Sequence, residues 1–106
     1  MLVGMKNIVG GGDGWVSNPD GSIQEVTLAA SDTSVQFTNV PADDNYGLVL
    51  CFDSSTASTA NTEPPKRLTN NPTYGTASGG VRTVTYGITT VTSAQAGTKA
   101  RLRLLK

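Results

Sequence analysis

The chain has 106 residues, enough for one small domain with its own core, and its eight basic and eight acidic residues give a net charge of zero. The absence of histidine excludes Ser-His and Cys-His catalytic pairs and His-based metal sites, and the single cysteine, Cys51, excludes an intrachain disulfide. The low hydrophobic (37%) and charged (15%) fractions leave room for Thr, Ser, Gly and Asn, a mixture typical of all-β chains. No apolar stretch is long enough for a secretory signal or a membrane span.

The first 22 residues are rich in glycine and predict a segment that is flexible or ordered only by a partner. Trp15 directly follows the glycine-rich run 10–14 and either packs over the edge of the domain or forms an exposed stacking platform. Residues 18–21, read Asn-Pro-Asp-Gly, form a strong turn signal. We therefore place the folded domain at residues 23–106.

Two strands are predicted in the middle of the chain. Val35 and Phe37, with Asn39 in phase, alternate with polar residues, and Pro41 ends this half-buried strand. Residues 46–52, read Tyr-Gly-Leu-Val-Leu-Cys-Phe, form the most apolar run of the chain. A strand that is apolar on both faces is usually central and covered on both sides. We expect the rest of the fold to be arranged around this second strand.

The second half of the chain predicts a loop and two further well-defined strands. Residues 54–65 are rich in Ser and Thr and predict a mobile surface loop. Val84, Tyr86 and Ile88 alternate with Thr and Gly. At the C-terminal end, apolar residues at 100, 102 and 104 alternate with Lys99, Arg101 and Arg103, the pattern of a strand that is apolar inward and cationic outward.

The short strands, the frequent turn signals and the absence of helical periodicity together predict the fold class. We expect a single antiparallel β-sandwich of six to eight short strands, either immunoglobulin-like or jelly-roll-like. The charges are divided along this chain: residues 1–63 carry eight acids and one base, and residues 64–106 carry seven bases and no acid. The two parts either pair within one monomer or present complementary patches to another subunit.

Two groups of side chains are candidate binding residues. The cationic row Lys99, Arg101 and Arg103 is a candidate interface for an acidic neighbour; it has no interleaved aromatic residue, so no nucleic acid is expected to bind. Aromatic rings that stack on a sugar are the alternative. The candidates for such stacking are Trp15, Tyr46, Tyr74 and Tyr86.

The acidic residues do not form a recognisable catalytic or metal-binding motif. The spacing of Asp13 and Asp20 does not match a calcium-binding loop, because Trp15 and Ser17 occupy ligand positions. The adjacent pair at 43 and 44 does not suit glycoside hydrolysis, which needs two carboxylates facing each other across a cleft. We expect a non-enzymatic protein without cofactor or metal.

Four stretches resemble small β-sandwich proteins from the particles of tailed bacteriophages, such as capsid decoration, head-fibre and tail-fibre-tip proteins. They are residues 35–41 (Val-Gln-Phe-Thr-Asn-Val-Pro), 46–50 (Tyr-Gly-Leu-Val-Leu), 79–86 and 96–102 (Ala-Gly-Thr-Lys-Ala-Arg-Leu). The resemblance lies in strand order and turn placement, which immunoglobulin-like and carbohydrate-binding modules largely share. The chain is short and lacks a long trimerising stem, which favours a stand-alone particle protein over a fibre tip.

The resemblance implies a structural protein of a viral particle, made in the host cytoplasm and present in the virion on the capsid or the tail. Its expected partners are other virion proteins and further copies of itself, in a homo-oligomer or many-copy assembly, with no membrane involved. The alternative is a carbohydrate-binding module that attaches the particle to a host glycan. Exposure of Trp15 together with the tyrosines on one face would favour this alternative.

Overall fold

A computed structural model of the protein describes residues 14–105. They form a small β-sandwich, as predicted, made of two three-stranded antiparallel sheets with the strand orders β1-β6-β3 and β2-β5-β4. The strands are β1 (Val26–Thr27), β2 (Ser34–Pro41), β3 (Gly47–Asp53), β4 (Thr73–Tyr74), β5 (Val81–Gly87) and β6 (Lys99–Leu105). Within the described residues, no helix is long and apolar enough to cross a membrane.

The core lies between the two sheets and is formed by the inward faces of their longest strands. Val35 and Phe37 of β2 face Val84 and Tyr86 across the β2–β5 register, and all four are buried. The first sheet contributes Leu102, which is fully buried on β6. Alternation with a period of two places these side chains on one face, so the sequence pattern translates directly into the buried layer.

Strand β6 is the centre of the first sheet. Along one side it pairs with β3 over its whole length, from Leu105 opposite Gly47 to Lys99 opposite Asp53. Along the other side it pairs with β1, and Val16 donates its N–H to the carbonyl of Leu102 at 2.8 Å. The predicted inward set at 100, 102 and 104 is buried, so the predicted orientation of this strand is confirmed.

The prediction that residues 46–52 form a central strand covered on both faces is wrong. Among the described residues, strand β3 lies at the edge of the first sheet and pairs only with β6. Its inward side chains at 48, 50 and 52 are partly buried against the core, whereas Val49 on the other face is 40% exposed. Val49 and Cys51 lie opposite Arg103 and Arg101, and the methylene stems of arginine side chains can cover apolar neighbours. A strand that is apolar on both faces, such as β3, can therefore lie at the edge of a sheet with a single neighbouring strand.

The domain also begins earlier than predicted. Residues 1–13 of the proposed N-terminal segment 1–22 lie outside the described part of the chain, but residues 14–22 belong to the sandwich. Val16 is buried, and Ser17 pairs with Ile23 across the predicted turn. This turn folds the segment back onto β6, so glycine content alone does not mark a domain boundary here.

A bulge changes the phase of β2. The register with β5 shifts between Phe37 and Val40, so Thr38 and Asn39 lack a partner on β5. Asn39 adopts a positive φ of 59°, a conformation that asparagine tolerates better than most residues. Val40 consequently points into the core, whereas the uninterrupted alternation predicted that Asn39 would do so.

Residues 54–65, predicted as a mobile loop, are attached to the turn before β6. A short 3-10 helix, Ser54–Thr56, opens the loop. The N–H of Ser58 then donates to the carbonyl of Ala96 at 2.7 Å, and Gln95 Nε2 donates to the carbonyl of Glu63 at 3.1 Å. These bonds hold both ends of the loop against residues 94–97.

Gly97 lies where this loop touches the turn, and we expect Gly97→Ala to destabilise the protein by about 2 kcal/mol. Gly97 has a φ of 93°, and a Cβ at this position would lie 2.7 Å from the carbonyl oxygen of Thr56. Gly79→Ala is the matched control, because Gly79 also has a positive φ of 64° but an added Cβ would meet nothing within 4 Å. Thermal melts of both variants separate the steric clash from the backbone strain, and equal shifts would contradict a close contact with Thr56.

Candidate interaction face

The three predicted cations lie in one row on the outer face of the first sheet. Lys99, Arg101 and Arg103 alternate with the buried residues of β6, so their side chains point away from the core. Alternate residues of a strand are about 7 Å apart, so the row spans about 13 Å. We name the outer residues Trp15, Glu25, Lys99, Arg101 and Arg103 the cationic face.

Trp15 lies within this row. It pairs with Arg103 in an antiparallel bridge beside β6. The guanidinium carbon of Arg101 lies 4.8 Å from the centre of the Trp15 ring, and that of Arg103 lies 5.6 Å from it. Both distances fall within the range of cation–π attraction, which contributes about 0.5–1 kcal/mol at exposed sites. The ring and the two guanidinium groups therefore form one ordered cluster.

Glu25 neutralises one end of the row. Its carboxylate oxygens lie 3.8 Å from Lys99 Nζ and 3.9 Å from Arg101 Nε. These contacts are long and half-exposed, so each contributes about 0–1 kcal/mol. Arg103 forms no ion pair with any acid in residues 14–105. The positive charge that remains available to a partner is thus concentrated beside Trp15.

The division of charge along the sequence is partly explained by contacts within one chain. In the described part of the chain, all three ion pairs join an acid of the first part to a base of the second, and the shortest joins Arg82 to Asp44 at 3.0 Å. Asp53 ends β3 opposite Lys99. The Ser55 hydroxyl and, to a smaller extent, the Ser55 backbone N–H donate hydrogen bonds to Asp53. These bonds hold the pKa of Asp53 below 3.8, so this carboxylate is ionised at neutral pH.

The structure does not bring the four candidate stacking aromatics together. Tyr46 and Tyr86 are buried, and burial raises the pKa of the Tyr86 hydroxyl above its usual 10.0. Neither ring can stack on a ligand, because each faces the core. Tyr74 is 47% exposed, but it lies on β4 of the second sheet, where the guanidinium of Arg82 covers its ring at 3.9 Å. Only Trp15 lies on the cationic face.

A second feature, which the sequence does not predict, is a cleft between the two sheets beside β3. It has a volume of about 450 Å³. Leu50 and Phe52 of β3 form one wall, and the segment from Lys66 to Asn70 forms the other. The side chain of Leu68 in that segment is 63% exposed. No local sequence pattern predicts this cleft, because its presence depends on how far each of the two sheets extends.

The described residues contain no group of three or more His, Cys, Asp or Glu side chains that could hold a metal ion. Asp20 bonds instead to the backbone N–H and hydroxyl of Ser22, and Asp43 accepts from the N–H of Asn45. These carboxylates stabilise local turns. Asp13, the other acid considered for calcium, lies outside the described residues.

Comparison of the chain with protein-family models, with curated proteins and with solved structures finds no match.

Proposed function

We propose that this protein is a non-enzymatic structural component of a viral particle, a capsid decoration or tail-associated protein of a tailed bacteriophage, that binds an acidic surface of a neighbouring particle protein. The assignment to a viral particle rests on the resemblance in strand order and turn placement. The single structural observation that supports a binding role is the position of Trp15 between Arg101 and Arg103 on the outer face of a sheet. The proposed protein is made in the host cytoplasm and ends in the virion.

Tryptophan and arginine are the residues that most often dominate the binding energy of protein interfaces. In the cationic face they are held by β6, whose neighbours on both sides restrict its movement. An ordered cluster loses less side-chain entropy on binding than free arginines would. Arg103, which has no acidic partner in residues 14–105, is the group best placed to pair with a carboxylate of the neighbour.

A carbohydrate-binding module is the weaker candidate. Sugar recognition by stacking uses exposed rings, and here Tyr46 and Tyr86 are buried while Tyr74 lies on the other sheet. The ring of Trp15 is already contacted by two arginines. The cationic face thus fits an acidic protein surface better than a neutral glycan.

The test uses purified particles of the virus whose genome encodes this chain, analysed by quantitative mass spectrometry. We expect the wild-type protein in many copies per particle and expect Arg103→Glu to lower that copy number at least tenfold, because it reverses charge beside Trp15. The variant should remain folded and lose only about 0.5–1 kcal/mol of stability, since Arg103 is exposed, lies outside every ion pair of the described residues and gives up its cation–π contact with Trp15.

The control variant is Ser34→Glu/Gln36→Glu, which adds two acids to exposed positions of the second sheet. It should leave the copy number unchanged. Particles that lack the wild-type protein would refute the assignment to the virion. Equal incorporation of Arg103→Glu and wild type would instead show that the protein docks through another surface.

A further inference from the structure

Within residues 14–105, the outer edge of β3 carries backbone groups without partners. On β6, Leu102 and Leu104 direct their backbone groups to Val16 and Gly14, so the alternate residues Arg101 and Arg103 direct theirs to β3. It follows that the N–H and C=O groups at positions 48, 50 and 52 of β3 point away from β6. No residue among 14–105 forms a hydrogen bond with them.

This edge lacks the features that normally prevent strand pairing. Exposed edges are usually short, bulged, or interrupted by proline or lysine. The other outer strands of the two sheets follow this rule: β1 and β4 have two residues each, and β2 contains a bulge and ends at Pro41. In contrast, β3 runs for seven residues in continuous register, with Asp53 at its end as its only charge.

The cleft lies beside this edge. Leu50 and Phe52 form one of its walls and the exposed Leu68 lies in the other, so the first sheet ends where the second still offers apolar surface. A strand added to β3 would continue the first sheet over this cleft and bring its inward side chains towards Leu68. Leu50, Phe52 and Leu68 give this space three apolar contacts among polar neighbours, and its position beside the edge suits one further strand.

We propose that this strand is β3 of a second copy of the chain, paired antiparallel about a two-fold axis that passes midway between the two Leu50 residues. This register places Leu50 opposite Leu50 of the second copy and Leu48 opposite Phe52 of the second copy, so apolar side chains meet on the inward face. The residues with free backbone groups then face one another and form roughly six hydrogen bonds. The two first sheets become one continuous six-stranded sheet, with both cationic faces on the same side.

The charges around the cleft also fit a second copy. Lys66 and Arg67 line the cleft and form no ion pair with the acids of residues 14–105. In the antiparallel arrangement, the chain that precedes β3 in the second copy passes the Phe52 end of the first. That chain carries Asp43 and Asp44. Asp44 already pairs with an arginine of its own chain, so Asp43 is the further acid that the pairing brings to the end of the cleft near Lys66.

The register can be tested by disulfide formation. It places Val49 opposite Cys51 of the second copy in a pair without mutual hydrogen bonds, where the Cβ atoms approach most closely. We expect Val49→Cys to form covalent dimers under mild oxidation. Residues 49 and 51 of one chain are about 7 Å apart and cannot bridge. Val49→Cys/Cys51→Ser and wild type should remain uncrosslinked, and Gln36→Cys on the exposed face of the second sheet measures random oxidation.

Sedimentation equilibrium gives an independent measurement. Wild type should form a reversible dimer, and Leu48→Pro should weaken it at least tenfold, because the proline removes an N–H that points away from β6 and leaves the β3–β6 bonds intact. A wild-type monomer at about 100 µM, or crosslinking of Val49→Cys no faster than that of Gln36→Cys, would overturn the proposal. A monomer whose edge binds only an added acidic peptide would assign the edge to a foreign strand and overturn it as well.

Discussion

Leu102→Ala should lower the free energy of unfolding by about 3–4 kcal/mol, a large part of the stability of about 5–15 kcal/mol that is typical of small domains. Leu102 is fully buried on the central strand of the first sheet, where β3 lies on one side and Val16 on the other. Neighbours on both sides limit how far the structure can collapse into the space left by the removed atoms. Urea denaturation monitored by circular dichroism measures the change.

Leu50→Ala is the matched control, because it removes the same atoms from the residue directly opposite Leu102 in the register. Leu50 lies on an edge strand and lines the open cleft, so its side chain is only partly buried. We expect a loss of about 1–2 kcal/mol, less than half that of Leu102→Ala. At a protein concentration where the chain is monomeric, a loss for Leu50→Ala equal to or greater than that for Leu102→Ala would mean that β3, not β6, carries the core of this sheet.

The contrast between these two leucines shows what sequence patterns can predict in this protein. Alternation correctly assigned β6 as a strand and correctly oriented its side chains, because the period of two is a local property of the backbone. Alternation did not show that β6, and not β3, lies at the centre of the first sheet. The hydrophobic content of a strand indicates how far its faces are covered, but it does not indicate which strands pair with it. Strand order is decided by tertiary pairing, here by the return of residues 14–17 to β6.

The candidate site was predictable only in pieces. The cationic row was evident from the alternation at 99, 101 and 103, and Trp15 was evident as a lone aromatic. Their meeting depends on an antiparallel bridge between opposite ends of the chain, for which no local signal exists. The same limit applies to Tyr86. Alternation correctly predicted that Tyr86 lies on a strand, but its burial depends on how the two sheets pack.

The proposed dimer and the proposed docking face would act together. Two cationic faces on one side of a continuous sheet could bind two acidic sites of an assembly at once. Linked binding of this kind raises the overall affinity by far more than one face provides, if the spacing of the sites matches. Disrupting the β3 edge should therefore weaken incorporation into particles even though it leaves Trp15 and Arg103 unchanged.

Gln24→Ala should destabilise the protein by about 3 kcal/mol, because a buried side chain here replaces a missing strand partner. At the bulge of β2, Gln24 Oε1 accepts from the N–H of Thr38 and Gln24 Nε2 donates to the carbonyl of Thr38, both at 2.8 Å. The same nitrogen lies 3.4 Å from the carbonyl of Ser17. The variant leaves the two Thr38 groups without these partners and opens a cavity beside the bulge. Gln36→Ala, which loses an exposed bond to Thr85, should change stability by less than about 0.5 kcal/mol.

Gln24→Glu tests the hydrogen-bond pattern itself. The introduced carboxyl keeps the acceptor for the Thr38 N–H, but when ionised it faces the Thr38 carbonyl without a proton to donate. Burial and this carbonyl both favour the protonated form, so its pKa should be higher in the folded state than in the unfolded state. Stability relative to wild type should therefore be greatest below the unfolded pKa of about 4.3 and should fall as the pH rises through the folded pKa. Denaturation of both proteins at about pH 4 and 7 measures this difference. A deficit independent of pH would contradict direct contact between the carboxyl and the Thr38 carbonyl.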